Sequence, residues 1–259
     1  MELTLYQVDA FANKPFEGNP AAICPLEQWL ADELMQTIAN ENNLSETAFF
    51  VKNATSYDIR WFTPTREVDL CGHATLASAH VLFNILGYKE QTISFSSKSG
   101  ILNVSRIEDR LEMDFPSQPA TPCPIPEAIL NAFTDKPIEC LKAEDYIVVF
   151  EHENDIVNAR PDLSKLAELD LRGVIITAKS NDYDFVTRFF APNYGINEDP
   201  VTGSAFTQLI PYWSKVLNKT ELKAKQVSQR GGEVGCVDSG DRVKISGKAV
   251  QYLVGSITV

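Results

Sequence analysis

Two segments of the sequence carry the same pattern, and this repeat strongly limits the possible folds. Residues 61–64 (WFTP) lead to residues 71–74 (CGHA), and residues 189–192 (FFAP) lead to residues 202–205 (TGSA). Each copy is an extended run ending in Phe-x-Pro, followed by an acidic loop, a small-residue turn and a long apolar helix. The first amides of a helix have no acceptor within it, so they can bind an anion. The repeat predicts two similar halves whose helix N-termini hold an anionic substrate.

The composition argues against nucleic-acid and membrane partners. The 259 residues are 44% hydrophobic and 22% charged, which is enough to bury a core. The 35 acidic and 23 basic side chains give a net charge of -12, which repels phosphates and anionic lipids. No apolar stretch approaches the roughly 20 residues that span a bilayer, and the first residues do not resemble a signal peptide. We expect a cytoplasmic protein.

The cysteines and histidines predict neither a disulfide framework nor a metal site. The five cysteines are odd in number, widely scattered and without a C-x-x-C pair. The three histidines, His73, His80 and His152, do not form a cluster of metal ligands with them. We therefore expect no bound metal.

Hydrophobic periodicity predicts both strands and helices. Alternation predicts strands over residues 3–11 and 57–61, three short strands over 94–115, and further strands over 235–259. The Pro-rich stretch at residues 115–126 cannot continue a sheet or helix and is the candidate linker.

Three helices are predicted. Residues 27–40 are amphipathic, as in a surface helix. Residues 74–86, closed by Gly87, and residues 205–217, which contain Pro211, are apolar nearly all the way round. We expect each of these two helices to run through a curved sheet formed by its own half.

Glu46 is a candidate general acid or base. It stands at the beginning of an apolar strand rather than on a polar face, because Ala48 and Phe49 follow it closely. The alternative is an ordinary surface glutamate, which is the more common role of this residue type.

His73 and Asp199 are polar residues at the two helix starts. The positive end of the helix dipole tends to keep the His73 imidazole neutral, so that it can donate a hydrogen bond or carry a proton. The alternative is a core histidine, which fits His80 better. Asp199 precedes Pro200, so it lies either at the mouth of the substrate site or at a helix N-cap with proline in the first helical position.

Cys71 offers a second route to proton transfer, because a thiolate at a helix N-terminus can act as a carbon-acid base. A racemase with two thiol bases needs a second cysteine at the matching position of the repeat. That position is Thr202. The repeat therefore argues against a paired-cysteine racemase.

Together these motifs resemble the PhzF family, named for phenazine biosynthesis, over nearly the whole chain. The resemblance is carried by residues 8–12 (VDAFA), 16–22 (FEGNPAA), 43–49 (NLSETAF), 62–64 (FTP), 71–76 (CGHATL) and 198–205 (EDPVTGSA).

The resemblance implies an α+β fold of the diaminopimelate epimerase-like type. In that fold, two pseudo-symmetric halves each roll a mixed, mostly antiparallel sheet around a central helix, and the active site lies in the cleft between them. Applied to this chain, the halves are residues 1–117 and 118–246. The resemblance leaves open whether the final strand, residues 247–259, joins the first half. The resemblance also implies a cofactor-free isomerase, usually a homodimer, acting on a small carboxylate.

The resemblance assigns roles to individual residues. Glu46 matches the catalytic general acid/base, and His73 and Asp199 match its supporting polar residues. Substrate binding is assigned to Asn19, Cys71, Gly72, Thr202, Gly203 and Ser204. One departure is Phe206, where the family usually has histidine. Two alternatives remain open at this point: a racemase or epimerase that uses Cys71, and a non-catalytic binding protein on the same fold.

Overall fold

The computed structural model describes residues 1–259, and the chain folds into two compact units. The first unit consists of Met1–Asp114 together with Ser246–Val259. The second unit is the continuous segment Phe115–Ile245. The Pro-rich stretch thus opens the second unit, and most of it has no regular structure. Contrary to expectation, its residues 115–116 end a strand and its residues Thr121–Pro122 join a sheet.

Eight strands and two helices form the first unit before the chain leaves it. They are β1 (Glu2–Ala10), β2 (Asn19–Leu26), α1 (Asp32–Asn42), β3 (Glu46–Lys52), β4 (Tyr57–Phe62), β5 (Glu67–Val68), α2 (Gly72–His80), β6 (Thr92–Ser97), β7 (Gly100–Ile107) and β8 (Arg110–Pro116). The three short strands predicted over residues 94–115 are confirmed as β6, β7 and β8.

The sheet of the first unit separates two helices. Strand β1 pairs with β2, which runs parallel to β3, and β3 pairs antiparallel with β4. Side chains alternate between faces along a strand. One face, with Ala22, Phe49 and Phe62, packs on α1. The registers Ala21↔Glu46 and Ala48↔Trp61 place these four side chains on the opposite face, and α2 packs against the strands there.

Helix α2 is buried on nearly all sides, as its composition predicts, and every residue from 73 to 79 is buried. It begins two residues earlier than predicted. After His80 the helix continues as a π-helical turn, Val81–Ile85, instead of remaining α-helical. Gly87 follows with a φ of +72°, the left-handed conformation expected of a helix-terminating glycine.

The predicted surface helix over residues 27–40 is observed at Asp32–Asn42. The helix begins later than predicted, because β2 extends to Leu26, which pairs with Val51 of β3. The following residues turn away from the strand, and Trp29 and Leu30 pack at the edge of the α1 core. Apolar side chains in that turn mimic the first turn of an amphipathic helix.

The second unit contains nine strands and four helices. They are β9 (Thr121–Pro122), α3 (Glu127–Ala132), β10 (Glu139–Lys142), β11 (Tyr146–Val149), α4 (Glu153–Val157), α5 (Leu163–Leu166), β12 (Val174–Lys179), β13 (Phe185–Ala191), β14 (Ile196–Asp199), α6 (Gly203–Leu217), β15 (Glu221–Gln226), β16 (Gly232–Asp238) and β17 (Arg242–Gly247). Helix α6 packs on β15 and β16, and its large side chains Phe206, Leu209, Ile210 and Trp213 are buried.

The sequence repeat corresponds to a repeated supersecondary unit. In the first copy β4 pairs antiparallel with the short β5, and α2 follows. In the second copy β13 pairs antiparallel with the short β14, and α6 follows. The Phe-x-Pro segment therefore ends a strand in both copies, and the small-residue turn starts a buried helix in both.

The last strand, β18 (Ala249–Thr258), belongs to the first unit. It pairs antiparallel with β1 from Glu2↔Thr258 to Ala10↔Ala249, with one irregularity between Gln7 and Val8. None of the helices is both long and apolar enough to cross a membrane.

Candidate active site

Glu46 and His73 form a close pair in the first unit. Glu46 is the first residue of β3, and His73 is the second residue of α2. The Oε2 atom of Glu46 lies 2.9 Å from the Nε2 atom of His73, and the two side chains are only 14% and 7% exposed. Neither atom has a hydrogen-bond partner of regular geometry, so each is left with this short contact to the other. The pair is therefore shielded from solvent, and Glu46 is the polar neighbour of His73 at Nε2.

The other ring nitrogen of His73 is surrounded by different groups. The Nδ2 atom of Asn19 lies 3.3 Å from His73 Nδ1, and the Sγ atom of Cys71 lies 3.6 Å from it. Ser45 donates its hydroxyl to Asn19 Oδ1 at 3.0 Å. Asn19 is completely buried at the start of β2. Its side chain thus links the segment before β3 to the first turn of α2.

The backbone around Cys71 fixes where α2 starts. Cys71 has an extended backbone, with a φ of -146°, and its side chain does not cap the helix. Its carbonyl accepts hydrogen bonds from both the amide and the hydroxyl of Thr75, at 3.2 and 2.6 Å. Gly72 and His73 follow as the first helical residues. Their amides lie in the part of a helix where intrahelical acceptors are absent.

Burial and charge set the protonation of this group. Burial raises the pKa of the Cys71 thiol to about 11, and the neighbouring Glu46 charge adds to the effect. Cys71 is therefore a thiol at neutral pH. Burial by itself lowers the pKa of His73, but the charges and hydrogen bonds of Cys71 and Glu46 raise it well above the usual value. With Cys71 uncharged at neutral pH, Glu46 is the anion that favours the imidazolium.

This result differs from the expectation that the helix N-terminus keeps His73 neutral. The dipole of a helix start acts on the ring with about half a charge. A full carboxylate charge at 2.9 Å in a buried site outweighs it. The sequence did not reveal the contact, because Glu46 and His73 are brought together only by packing of α2 on the sheet.

The donor atoms of Glu46, Cys71 and His73 lie within 4.8 Å of one another, so these three residues could hold a metal ion. Glu46 and Cys71, however, contact different nitrogens of the same imidazole ring. That arrangement is typical of a hydrogen-bonded relay, whereas shared coordination needs all donors directed at one point. We therefore assign no metal to these residues. All five cysteines are free thiols.

Asp199, Thr202 and Gln226 form a second polar cluster, in the second unit. Thr202 donates its hydroxyl to Asp199 Oδ2 at 2.6 Å. The buried Gln226 side chain accepts a hydrogen bond from the Thr202 amide at 2.9 Å and donates one to the Asp199 carbonyl at 2.7 Å. Gln226 thereby holds both ends of the turn that precedes α6.

The alternative role of Asp199 as a helix N-cap is wrong. Helix α6 begins at Gly203, with Thr202 as its N-cap residue, and Asp199 is the last residue of β14. The Asp-Pro dipeptide therefore ends a strand in this chain. Its carboxylate supports the turn through the Thr202 hydroxyl instead of capping the helix directly. Gly203 and Ser204 occupy the first two positions of α6, equivalent to Gly72 and His73 in α2.

Gln226 was missed by sequence reasoning, although a signal for it exists. Strand β15 alternates between exposed and buried positions, and its buried positions are Leu222, Ala224 and Gln226. An amide on the buried side of such a strand needs polar partners. Ser45 carried no comparable signal. Phe206, where the family usually has histidine, is buried in the core of the second unit, with its ring centroid 6.2 Å from that of Phe185.

Comparison with known proteins identifies the class of this protein and then its family. An uncharacterised isomerase of Pseudomonas aeruginosa is 52% identical over 257 residues, covering 99% of both chains. A crystal structure of a PhzF-family phenazine biosynthesis protein from Enterococcus faecalis superposes with a TM-score of 0.98 at 48% identity, covering 100% of both chains. A predicted epimerase from Pseudomonas aeruginosa, at 20% identity and a TM-score of 0.76, shares the fold.

These similarities define an enzyme of the isomerase class on the diaminopimelate epimerase-like fold. The family model described as phenazine biosynthesis-like protein matches residues 8–255. The chain belongs to the PhzF family.

Proposed function

We propose that this protein is a cofactor-independent isomerase that moves a proton within a small carboxylate substrate, with Glu46 as its general acid/base. The observation that carries the proposal is the buried contact between Glu46 and His73 at the start of α2. A carboxylate held by a single partner on one oxygen keeps its other oxygen available for substrate. General acid/base catalysis of this kind contributes about 10²- to 10⁴-fold.

The proposed reaction begins with a substrate C–H bond next to a carbonyl, imine or diene. Glu46 takes the proton, so that an O–H bond forms while the C–H electron pair enters the neighbouring π system. The π bond shifts, and Glu46 returns the proton to a different carbon. The number of atoms and electrons in the substrate is unchanged, and no redox cofactor is needed. His73 holds the Glu46 carboxylate in place and compensates its charge.

We assign substrate binding to the two helix starts. The amides at a helix start have no acceptor one turn earlier in the helix, so those of α2 and α6 are suited to carboxylate oxygens, and the small residues Gly72 and Gly203 allow close approach. Asn19, Cys71, Thr202 and Ser204 complete the proposed binding residues. Asp199 is proposed to steady the charge that develops on the substrate.

The protonation of Cys71 favours this mechanism over a racemase with a thiolate base. Burial raises the pKa of Cys71 to about 11, so the thiolate is scarce at neutral pH. The matching position of the second copy is Thr202, which offers no second thiol. A single carboxylate is therefore the base better suited to the site.

We also propose that the protein works in the cytoplasm as a homodimer. Support for the dimer comes from the exposed apolar side chains of β18, where Tyr252 is 48%, Leu253 42% and Val254 55% exposed. The exposed Phe16 ring stacks edge-on against Tyr252 with centroids 5.5 Å apart. Contiguous apolar surface on a strand is typical of an interaction site.

A deuterium wash-in experiment tests the catalytic proposal. The protein is incubated in D₂O with a panel of small carboxylates that carry an acidic C–H, and deuterium incorporation is measured by mass spectrometry. We expect at least one substrate to exchange, and Glu46→Gln to slow that exchange about 100-fold or more. Cys71→Ala is the comparison variant: it removes a proposed binding residue but not the proposed base, so exchange should persist at saturating substrate. Exchange that survives Glu46→Gln but is lost in Cys71→Ala would replace this mechanism with the thiol one.

A further inference from the structure

Four side chains form a closed ring of polar contacts around the His73 imidazole. Ser45 donates to Asn19, Asn19 contacts His73 Nδ1, and His73 Nε2 contacts Glu46, which is the next residue after Ser45. The ring joins the beginning of β2, the beginning of β3 and the beginning of α2. Asn19 and His73 are buried, so bulk water cannot easily replace a missing partner.

The observed orientation of Asn19 suits only one protonation state of His73. Its amide nitrogen faces Nδ1, and an amide nitrogen can only donate, so Nδ1 must accept and carries no proton. The Cys71 thiol, the other neighbour of Nδ1, is also a donor when protonated. The ring is therefore neutral in this arrangement, with its proton on Nε2 facing Glu46.

The charges around the ring favour the other state. The pKa of His73 is raised well above its usual value despite burial, because the interactions of Cys71 and Glu46 with the ring stabilise the imidazolium. Cys71 and Glu46 are the titratable groups that act on His73. On β1, Tyr6 lies on the same face of the sheet as Ile23, and Asp9 lies on the opposite face with Pro20. An imidazolium has a proton on Nδ1, and that proton needs an acceptor where the Asn19 nitrogen now lies.

We propose that Asn19 is a positioning residue whose side-chain amide flips by about 180° as His73 gains or loses its Nδ1 proton. Ser45 supports both orientations of the amide. When the ring is neutral, Asn19 Nδ2 donates to Nδ1 and the Ser45 hydroxyl donates to Asn19 Oδ1. When the ring is charged, Asn19 Oδ1 accepts from Nδ1 and Asn19 Nδ2 donates to Ser45 Oγ. A hydroxyl is the side-chain group that can both donate and accept in this way.

The flip of the Asn19 amide would assist catalysis, an argument that rests on the proposed function. When Glu46 takes a proton from the substrate, it no longer balances the charge of His73. The proton on the ring then becomes easier to release, and an Asn19 that supports both states of the ring keeps either one from being strongly disfavoured. This positioning role uses the contacts of Asn19 to Ser45 and His73 and is independent of its proposed contact with substrate.

The test measures His73 in the absence of substrate, so its failure is separable from failure of the isomerase proposal. The pKa of His73 is measured by nitrogen-15 NMR of the imidazole in the wild-type protein and in Asn19→Leu. If the amide flips, its oxygen accepts a charge-assisted hydrogen bond from the imidazolium, which is stronger than the bond it donates to the neutral ring. Asn19→Leu should then lower the proton affinity of His73 by about fivefold. A fixed amide that only donates to Nδ1 favours the neutral ring. Asn19→Leu would then raise the proton affinity, and the proposal would be overturned.

Ser45 gives a second, milder variant that leaves the buried amide in place. If Ser45 supports both orientations equally, Ser45→Ala should change the proton affinity of His73 by less than about twofold. If Ser45 only holds the observed orientation, Ser45→Ala should raise that affinity clearly. Ser45→Thr keeps the hydroxyl and should behave as the wild-type protein in this titration.

Neutron diffraction shows the orientation directly. Crystals of the full chain are exchanged into deuterated buffer at one pH below and one pH above the measured His73 titration. The deuterated Asn19 nitrogen should face Nδ1 at the higher pH and Ser45 at the lower pH. The same orientation at both pH values would overturn the proposal, whatever the activity of the enzyme.

Discussion

The side chain of Gln226 accepts a hydrogen bond from the Thr202 amide at 2.9 Å and thereby connects the end of β15 to the first turn of α6. The same side chain donates to the Asp199 carbonyl at 2.7 Å. Gln226→Leu keeps a similar volume but removes the acceptor of the buried Thr202 amide and the donor to the half-buried Asp199 carbonyl. We expect a loss of about 1–3 kcal/mol in the free energy of unfolding and a lower kcat, because the turn that starts α6 is no longer fixed. Urea denaturation and steady-state kinetics measure the two effects.

The matched control for this variant is Gln251→Leu, which makes the same substitution at an exposed position of β18. It should change the free energy of unfolding by less than about 0.5 kcal/mol. Equal losses in the two variants would show that Gln226 does not hold the turn.

The repeated unit of the sequence predicted the most about this protein, because its pattern is local. The strand before each Phe-x-Pro, the small-residue turn and the apolar helix all depend on residues close together in the chain. Asn19, Ser45 and Gln226 could not be found in the same way. Asn19 lies 54 residues from His73, and Gln226 lies 24 residues from Thr202. Their roles depend on which strands become neighbours, and hydrophobic periodicity does not specify that.

The pair formed by His73 and Glu46 predicts how stability depends on pH. The pKa of His73 is raised in the folded state, so its contribution to stability is fully present below the unfolded-state pKa of about 6.5. That contribution is lost as the pH rises through the higher folded-state pKa. We expect the free energy of unfolding to fall with rising pH above about 6.5, and Glu46→Gln to flatten this dependence. Glu41→Gln removes an exposed carboxylate from α1 and should leave the slope unchanged.

The burial of Cys71 predicts its reactivity. Because burial raises the pKa of this thiol to about 11, iodoacetamide should modify it slowly at neutral pH and faster toward alkaline pH. Cys123, which is partly exposed, provides an internal comparison and should react first. Peptide mass mapping over time measures both rates. Rapid modification of Cys71 at pH 7 would indicate a stabilised thiolate and would favour the thiol mechanism.

The exposed apolar side chains of β18 predict where two copies of the chain meet. Val254 is 55% exposed on this strand, and a lysine there places a charge on each side of a two-fold interface. We expect the wild-type protein to sediment as a dimer in analytical ultracentrifugation, and Val254→Lys to weaken dimerisation at least tenfold. The control is Ile101→Lys, which introduces the same charge at a residue of β7 that is 71% exposed. A dimer that Ile101→Lys dissociates and Val254→Lys does not would move the interface from β18 to β7, whereas a monomeric wild-type protein would exclude the proposed homodimer.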